Sequence, residues 1–269
     1  MQIPRKLLHR QTMNTFSTGF PCAPAGRVVF ITGATSGIGE ATARFARAAG
    51  WSVVITGRRQ DRVKQLAAEL ESEGLVFDVR DRKATAASIA SVPDEWVPNV
   101  LVNNAGLAVG LGPVDQGDYE DWDRMMDTNV SGLLNVSREW LPRMQRGARV
   151  INVGSVAGKQ AYPGGAVYNA SKFAVDGLTQ AMRMDLLPRG IQVGQVSPGA
   201  VETEFSKVRF KGDEEAAARV YDGFEPLRAE DVADAIWYMA TRPPHVCIHD
   251  VWIMPSAQAS AYHLQRMGQ

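Results

Sequence analysis

Tyr168 and Lys172 stand four positions apart in the run Tyr168-Asn169-Ala170-Ser171-Lys172, inside a stretch of helical periodicity. An i, i+4 spacing puts both on one helix face. A free phenol titrates near pH ~10, so a close ammonium that favours the phenolate turns the pair into a proton donor and acceptor usable near neutrality. Tyr168 then serves as general acid toward a carbonyl oxygen, or as general base toward an alcohol. The same spacing occurs on many ordinary helix surfaces, so position has to supply the rest. Ser155, thirteen residues upstream, follows the apolar run 150–153 at what reads as the carboxyl end of a strand. Open α/β sheets bind ligands there. Its hydroxyl is placed to hold a substrate oxygen, or it is a small polar residue in a turn. A serine hydrolase is disfavoured: Gly-x-Ser-x-Gly needs glycine where Val153 stands, and no histidine falls where a triad wants one.

A second constellation is Thr32-Gly33-Ala34-Thr35-Ser36-Gly37-Ile38-Gly39, between a β-branched run and a helical pattern. Gly33 lets the chain turn off the strand, Gly37 lets backbone approach a pyrophosphate, and Gly39 lets the helix pack against the sheet. Unpaired N–H groups at the helix start would face the phosphate charge. The tip of the second strand then selects the dinucleotide, and it reads Thr56-Gly57-Arg58-Arg59. A carboxylate there suits the ribose hydroxyls of NAD, whereas two guanidinium groups suit the 2′-phosphate of NADP. Asp61, the nearest acid, reads as a helix N-cap.

The elements that must position these residues alternate between short β-branched runs and helical-period stretches. Strand patterns fall at 28–32, 52–56, 75–79, 100–103, 149–153 and 191–196, with a last one at 246–254. Helical patterns fall at 40–49, 62–72, 84–90, 119–144, 168–187 and 230–241. This predicts an α/β fold with a single Rossmann-like doubly wound parallel sheet and helices on both faces. With 269 residues, 45% of them hydrophobic, the chain is expected to form one catalytic domain over 27–269. Residues 1–26 differ: Arg5, Lys6, Arg10 and Arg27 precede the first acid, Glu40, so this segment reads as a flexible arm, an organellar address, or an upstream start with Met13 as the true beginning. Lys+Arg and Asp+Glu both number 29, which gives no basic excess to attract nucleic acid or an anionic membrane. Cys22 and Cys247 lack disulfide or zinc spacing, the four histidines form no metal cluster, and no apolar run reaches the length of a membrane span. A metal-free cytoplasmic protein is expected.

Taken together, residues from about 27 to 254 resemble the short-chain dehydrogenase/reductase family. The family's cofactor turn matches 32–39, its Asp-Val matches Asp78-Val79, its Asn-Asn-Ala-Gly matches 103–106, and its Pro-Gly matches Pro198-Gly199. Its catalytic asparagine, serine, tyrosine and lysine fall on Asn129, Ser155, Tyr168 and Lys172. The resemblance implies NADP contacts from Gly33, Thr35, Ser36, Gly37, Ile38, Gly39, Arg58, Arg59, Asp78, Val79, Asn104, Ala105, Gly106, Tyr168, Lys172, Pro198, Gly199, Val201 and Thr203. It also implies that Lys172 lowers the tyrosine pKa, that Asn129 holds a water beside Lys172, and that the chain forms a homotetramer through the long helices.

A closer resemblance is to the NADP-dependent 3-hydroxy acid dehydrogenases of the serine and allo-threonine group, carried by 55–60, 103–108 and 201–213. It implies a small hydroxy acid or its semialdehyde as substrate, bound by Ser155 and Tyr168 under a lid near 203–225. A carboxylate needs a cation in that lid. Arg209 is the first choice, with its two parallel donors, over Lys211. Two alternatives stay open: a reductase of a bulkier ketone or aldehyde, and an NADP-sensing scaffold without turnover.

Overall fold

The computed structural model describes residues 26–267; the basic arm lies outside the described residues, apart from Gly26. The strands are β1 Val28–Ile31, β2 Ser52–Gly57, β3 Glu73–Val76, β4 Val100–Asn103, β5 Arg149–Val153, β6 Gln192–Pro198 and β7 Asp250–Ile253. They form one sheet in the order β3-β2-β1-β4-β5-β6-β7, every pair parallel. The helices are α1 Gly37–Ala48, α2 Gln60–Glu69, α3 Arg82–Ala90, α4 Tyr119–Met126, α5 Gly132–Trp140, α6 Ala166–Leu186, α7 Glu204–Arg209, α8 Glu214–Arg219 and α9 Ala229–Ala240.

In β1, β2 and β4 the apolar run is nearly unbroken, because the centre of the sheet is buried on both faces. From β1, Val28 and Phe30 pack with Ile89 of α3, Trp140 of α5 and Val175 of α6. The Phe30 and Trp140 rings meet edge to face at 5.0 Å. Val29 and Ile31 face the other way, onto Ala43 of α1, Val63 of α2 and Ile236 of α9. Strand order reverses between β1 and β4, which opens a crevice at the strands' carboxyl ends.

Most element ends shift by one to three residues from the sequence expectation, and some differences go further. Pairing of β3 with β2 spans Glu73–Val76, not 75–79, so Phe77, Asp78 and Val79 leave the edge strand and curve over the crevice. The expected helix 119–144 is broken into α4 and α5 by a π-helical segment, Asp127–Ser131, and ends as a helix at Trp140. Such segments bulge one turn of a helix and recur at functional sites; here Asn129 occupies the bulge. Asp61 is not the N-cap of α2: Arg59 is, and Asp61 sits in the first turn, where its charge complements the helix dipole. The last strand is shorter than 246–254, because only Asp250–Ile253 pairs with β6.

Candidate active site

The turn after β1 is locked to the turn after β4 by a reciprocal set of hydrogen bonds. The Thr32 hydroxyl accepts from the backbone N–H of Asn104 (3.0 Å) and Ala105 (2.9 Å). The Asn104 amide donates back to the carbonyls of Thr32 (2.8 Å) and Gly33 (3.1 Å). Gly33 adopts φ +63°, and a side chain there would stand 2.9 Å from the Ala105 Cα. A Cβ on Gly39 would meet the Asn104 amide at 2.4 Å and the Gly33 carbonyl at 2.6 Å. Gly39→Ala is therefore expected to cost about 1–3 kcal/mol through overpacking, read as a lower Tm in thermal unfolding; an unchanged Tm would refute this packing account.

Arg58 and Arg59 stand at the β2 tip as expected, but neither is without a carboxylate. Arg59 donates to the hydroxyls of Thr35 and Ser36, each at 3.1 Å, which ties it to the glycine turn. Its other nitrogen donates to Glu204 of α7 at 2.9 Å, and Arg62 donates to the same carboxylate at 2.7 Å. Arg58 lies 3.7 Å from Asp78, whose two carboxylate oxygens also accept from the Arg80 Nε (3.1 Å to Oδ1) and Nη2 (2.7 Å to Oδ2). Burial alone would raise the Asp78 carboxyl; the Arg80 bonds and the Arg58 charge hold it below its ordinary value.

Tyr168 and Lys172 share the inward face of α6, and both are buried. Leu107, Val109, Met125 and Ala157 form the apolar wall around the Tyr168 ring, and Phe205 meets it edge to face at 5.7 Å. That burial pushes the phenol above its ordinary range, and a neighbouring Tyr162 adds to the rise. A hydrogen bond with Ser155 and the charge of Arg209 act the other way. Lys172, expected to lower the tyrosine, stands with its ammonium 6.0 Å from the centre of the Tyr168 ring, donates to the Val153 carbonyl at 2.9 Å and is itself pushed down to about 8 by burial. Ser155 caps the short turn after β5: its hydroxyl accepts from the Ala157 N–H (3.1 Å) and donates to the Pro198 carbonyl (3.4 Å).

The Asn129 side chain is engaged by its neighbours. Its amide oxygen accepts from the Leu107 N–H at 2.8 Å, and its nitrogen donates to the Leu107 carbonyl and the Ser171 hydroxyl, both at 2.9 Å. Both side-chain donors are used in bracing, so the side chain ties the β4 turn to α6. Ser171, whose hydroxyl donates to the Tyr168 carbonyl at 2.8 Å, completes the brace and was not singled out by sequence reasoning. Gly106 leaves the space: a Cβ there would be 3.2 Å from the Asn129 oxygen and 3.5 Å from the Lys172 nitrogen.

Of the expected cofactor residues, Gly33, Thr35, Ser36, Gly37, Ile38, Arg58, Arg59, Asp78, Val79, Asn104, Ala105, Gly106, Tyr168, Lys172, Pro198, Gly199, Val201 and Thr203 line one crevice with Ser155. Gly39, Asn129 and Arg209 do not line it. Gly39 packs behind the turn, and Asn129 braces from beneath. Arg209, at the end of α7, sits with its guanidinium carbon 5.3 Å from the Tyr162 ring centre and 5.9 Å from that of Tyr168, and donates to the Tyr162 hydroxyl at 2.8 Å. Its Nε is buried with no hydrogen-bond partner. Lys211 points elsewhere, pairing with Asp121 at 2.7 Å, so it anchors the loop to α4. Thr203 caps α7 and packs its methyl near Gly37, which holds the start of α7 against the glycine turn.

A glycine turn at the switch point of a doubly wound sheet, facing a buried Ser–Tyr–Lys set, defines a nucleotide-dependent α/β dehydrogenase. The family model for short chain dehydrogenase matches residues 27–214, and the chain belongs to that family. It is 46% identical over 248 residues to sulfoacetaldehyde reductase 2 of Chromohalobacter salexigens, covering 89% of this chain and 98% of the relative. It is 42% identical over 238 residues to serine 3-dehydrogenase of Agrobacterium fabrum, covering 87% and 95%. A solved structure of the closed form of serine dehydrogenase complexed with NADP+ superposes with a TM-score of 0.85 at 42% identity, covering 90% of this chain and all of that one. Among the described residues no helix is long and apolar enough to cross a membrane. No group of His, Cys, Asp or Glu among them could hold a metal ion.

Proposed function

We propose that this chain is an NADP-dependent oxidoreductase that interconverts a small anionic hydroxy compound, of the 3-hydroxy acid type, and the corresponding carbonyl. The observation that carries the substrate class is the buried, unpartnered Nε of Arg209, held by Tyr162 beside the Tyr168 ring. A buried guanidinium donor without an acceptor is costly, and a ligand carboxylate or sulfonate supplies that acceptor. Relatives at 42–46% identity act, by their names, on serine, 3-hydroxy acids and sulfoacetaldehyde, all small and all carrying an anionic group.

The crevice suits a dinucleotide. It is walled by glycines where a side chain would fill the cradle, with hydroxyls and arginines at the end beyond β2. Arg58 and Arg59 would hold the 2′-phosphate, Lys172 the nicotinamide ribose, and Thr203 the carboxamide. When bound, NADP(H) supplies or takes the hydride. Ser155 holds the substrate oxygen, Tyr168 passes the proton to it or takes the proton from it, and Arg209 orients the anionic end. The apolar wall around Tyr168 excludes water.

The described part of residues 27–269 would act as one catalytic unit with residues 203–225 as the substrate lid. Exposed Phe173, Met184 and Leu187 of α6 and its end, and Leu134 of α5, fit packing between subunits of a homotetramer. A cytoplasmic location goes with this reading.

The deciding experiment is a panel of L-serine, L-allo-threonine, 3-hydroxyisobutyrate and a carboxylate-free alcohol with NADP+, and sulfoacetaldehyde with NADPH, followed at the nicotinamide absorbance. Turnover of the anionic compounds well above the neutral alcohol is expected. Preference for a bulky neutral ketone, or no turnover at all, would reject the proposal. For the cofactor, Arg59→Met is expected to weaken NADP+ about tenfold and to change NAD+ little, as one lost charge-assisted contact predicts. Equal affinity of the unaltered protein for NAD+ and NADP+, measured by calorimetry, contradicts it.

A further inference from the structure

Helix α7 is six residues long and carries a charge of opposite sign at each end. Glu204, at its start, accepts from Arg59 at 2.9 Å and from Arg62 at 2.7 Å. Arg209, at its end, lies beside Tyr162 and Tyr168. One short rigid element therefore touches both the arginines at the adenosine end of the crevice and the residues around the proton donor. Residues 204 and 59 are 145 positions apart in sequence, so only the fold creates this link.

We propose that Glu204 occupies the 2′-phosphate arginines when no phosphate is there, and that an arriving 2′-phosphate displaces it, so that NADP rather than NAD sets the position of the lid. This rests on the reading of Arg59 as a 2′-phosphate ligand. The charge balance decides the direction of the exchange. Arg59 and Arg62 together carry two positive charges, and Glu204 neutralises only one. A phosphate monoester carries about −1.5 to −2 at neutral pH and three acceptor oxygens, so it neutralises both arginines where the carboxylate cannot. Carboxylate and phosphate on the same guanidinium groups would repel one another. Burial alone would raise the Glu204 carboxyl, but the bonds from Arg62 and Arg59 hold it below its ordinary value, so it is charged when the phosphate arrives. NAD, with a ribose hydroxyl at that position, would leave the Glu204 contacts in place. Arg62 thereby joins Arg58 and Arg59 as a cation that senses the phosphate, although it does not line the crevice.

The test uses the full chain and ligand fragments that cannot react: adenosine 2′,5′-bisphosphate and adenosine 5′-monophosphate, titrated by calorimetry alongside NADP+ and NAD+. Glu204→Gln keeps the side-chain shape and removes the charge. The three side chains are nearly half exposed, so the gain is that of a screened ion pair: about two- to fivefold tighter binding of the bisphosphate and of NADP+. Binding of the monophosphate and NAD+ should not change. In the unaltered protein, amide hydrogen exchange across residues 204–209 should rise with the bisphosphate and stay level with the monophosphate. In Glu204→Gln it should already be high without ligand. Unchanged or weaker binding of the bisphosphate by Glu204→Gln would overturn the displacement, and exchange indifferent to the bisphosphate would overturn the coupling to the lid. If Arg59→Met lost NADP+ affinity while Glu204→Gln altered nothing, the cofactor reading would survive and this inference would not. Equal affinity of the unaltered protein for the two fragments would reject both.

Discussion

Tyr168→Phe is expected to lower kcat by about 10²–10⁴-fold, the range that one positioned proton donor supplies. The ring stays, with its edge contact to Phe205 and its apolar wall, so the dinucleotide affinity of the variant should match that of the unaltered protein. The pH dependence follows from the direction of the tyrosine shift. Burial first, and then Tyr162, raise the phenol above its ordinary value, so it holds its proton throughout the neutral range. Carbonyl reduction, which uses that proton, should stay level in kcat as far as Tyr168 is concerned. Alcohol oxidation needs the proton removed and should climb as pH rises. Lys172, pushed down to about 8 by burial, is charged below that pH and loses its charge above it. Contacts made by the ammonium should weaken there. A Tyr168→Phe variant turning over at near-normal rate across this range would remove Tyr168 from the chemistry altogether.

Arg209→Met should raise the KM for an anionic substrate by one to two orders of magnitude, while a neutral aldehyde of similar size changes little. One charge-assisted contact to a buried ligand group is worth about 1.5–3 kcal/mol, which corresponds to that loss. Methionine keeps most of the volume and the apolar stem. The substitution also removes the positive charge that favours the Tyr168 phenolate, so oxidation by the variant should require higher pH than the unaltered protein. Arg209 has structural work as well, since the Gly110 N–H donates to its carbonyl at 2.9 Å and its guanidinium donates to the Tyr162 hydroxyl. The two substrates separate these parts. Equal losses for both would make Arg209 a brace of the lid and move anion recognition elsewhere.

The residues with chemistry were visible in the sequence where a short-range pattern carries them. Tyr168 and Lys172 share a helix face by spacing alone, and the glycine turn follows a strand and opens a helix, as a phosphate-binding turn must. The doubly wound sheet was visible because strands buried on both faces leave unbroken β-branched runs, and the alternation with helical stretches fixes the parallel arrangement. Boundaries were less visible: the Phe77-Asp78-Val79 run is apolar enough to look like strand, yet its burial comes from packing over the crevice. The π-helical segment at Asn129 leaves the apolar spacing of α4 and α5 almost undisturbed, so periodicity reads straight through it.

By itself, then, the sequence determined the order of elements, the position of the crevice and the pair Tyr168 and Lys172 as candidates for proton transfer, because each depends on residues within a few turns of one another. What the tertiary structure alone decided is who neutralises whom. Glu204 reaches Arg59 and Arg62 across more than half the chain, Arg209 joins Lys172 as a cation about as close to the Tyr168 ring, and Asn129 spends its amide on Leu107 and Ser171. Charges and hydrogen-bond donors act over a few ångströms in space, whatever their separation along the chain. Their partners are fixed only when the fold brings α7 and the strand tips together.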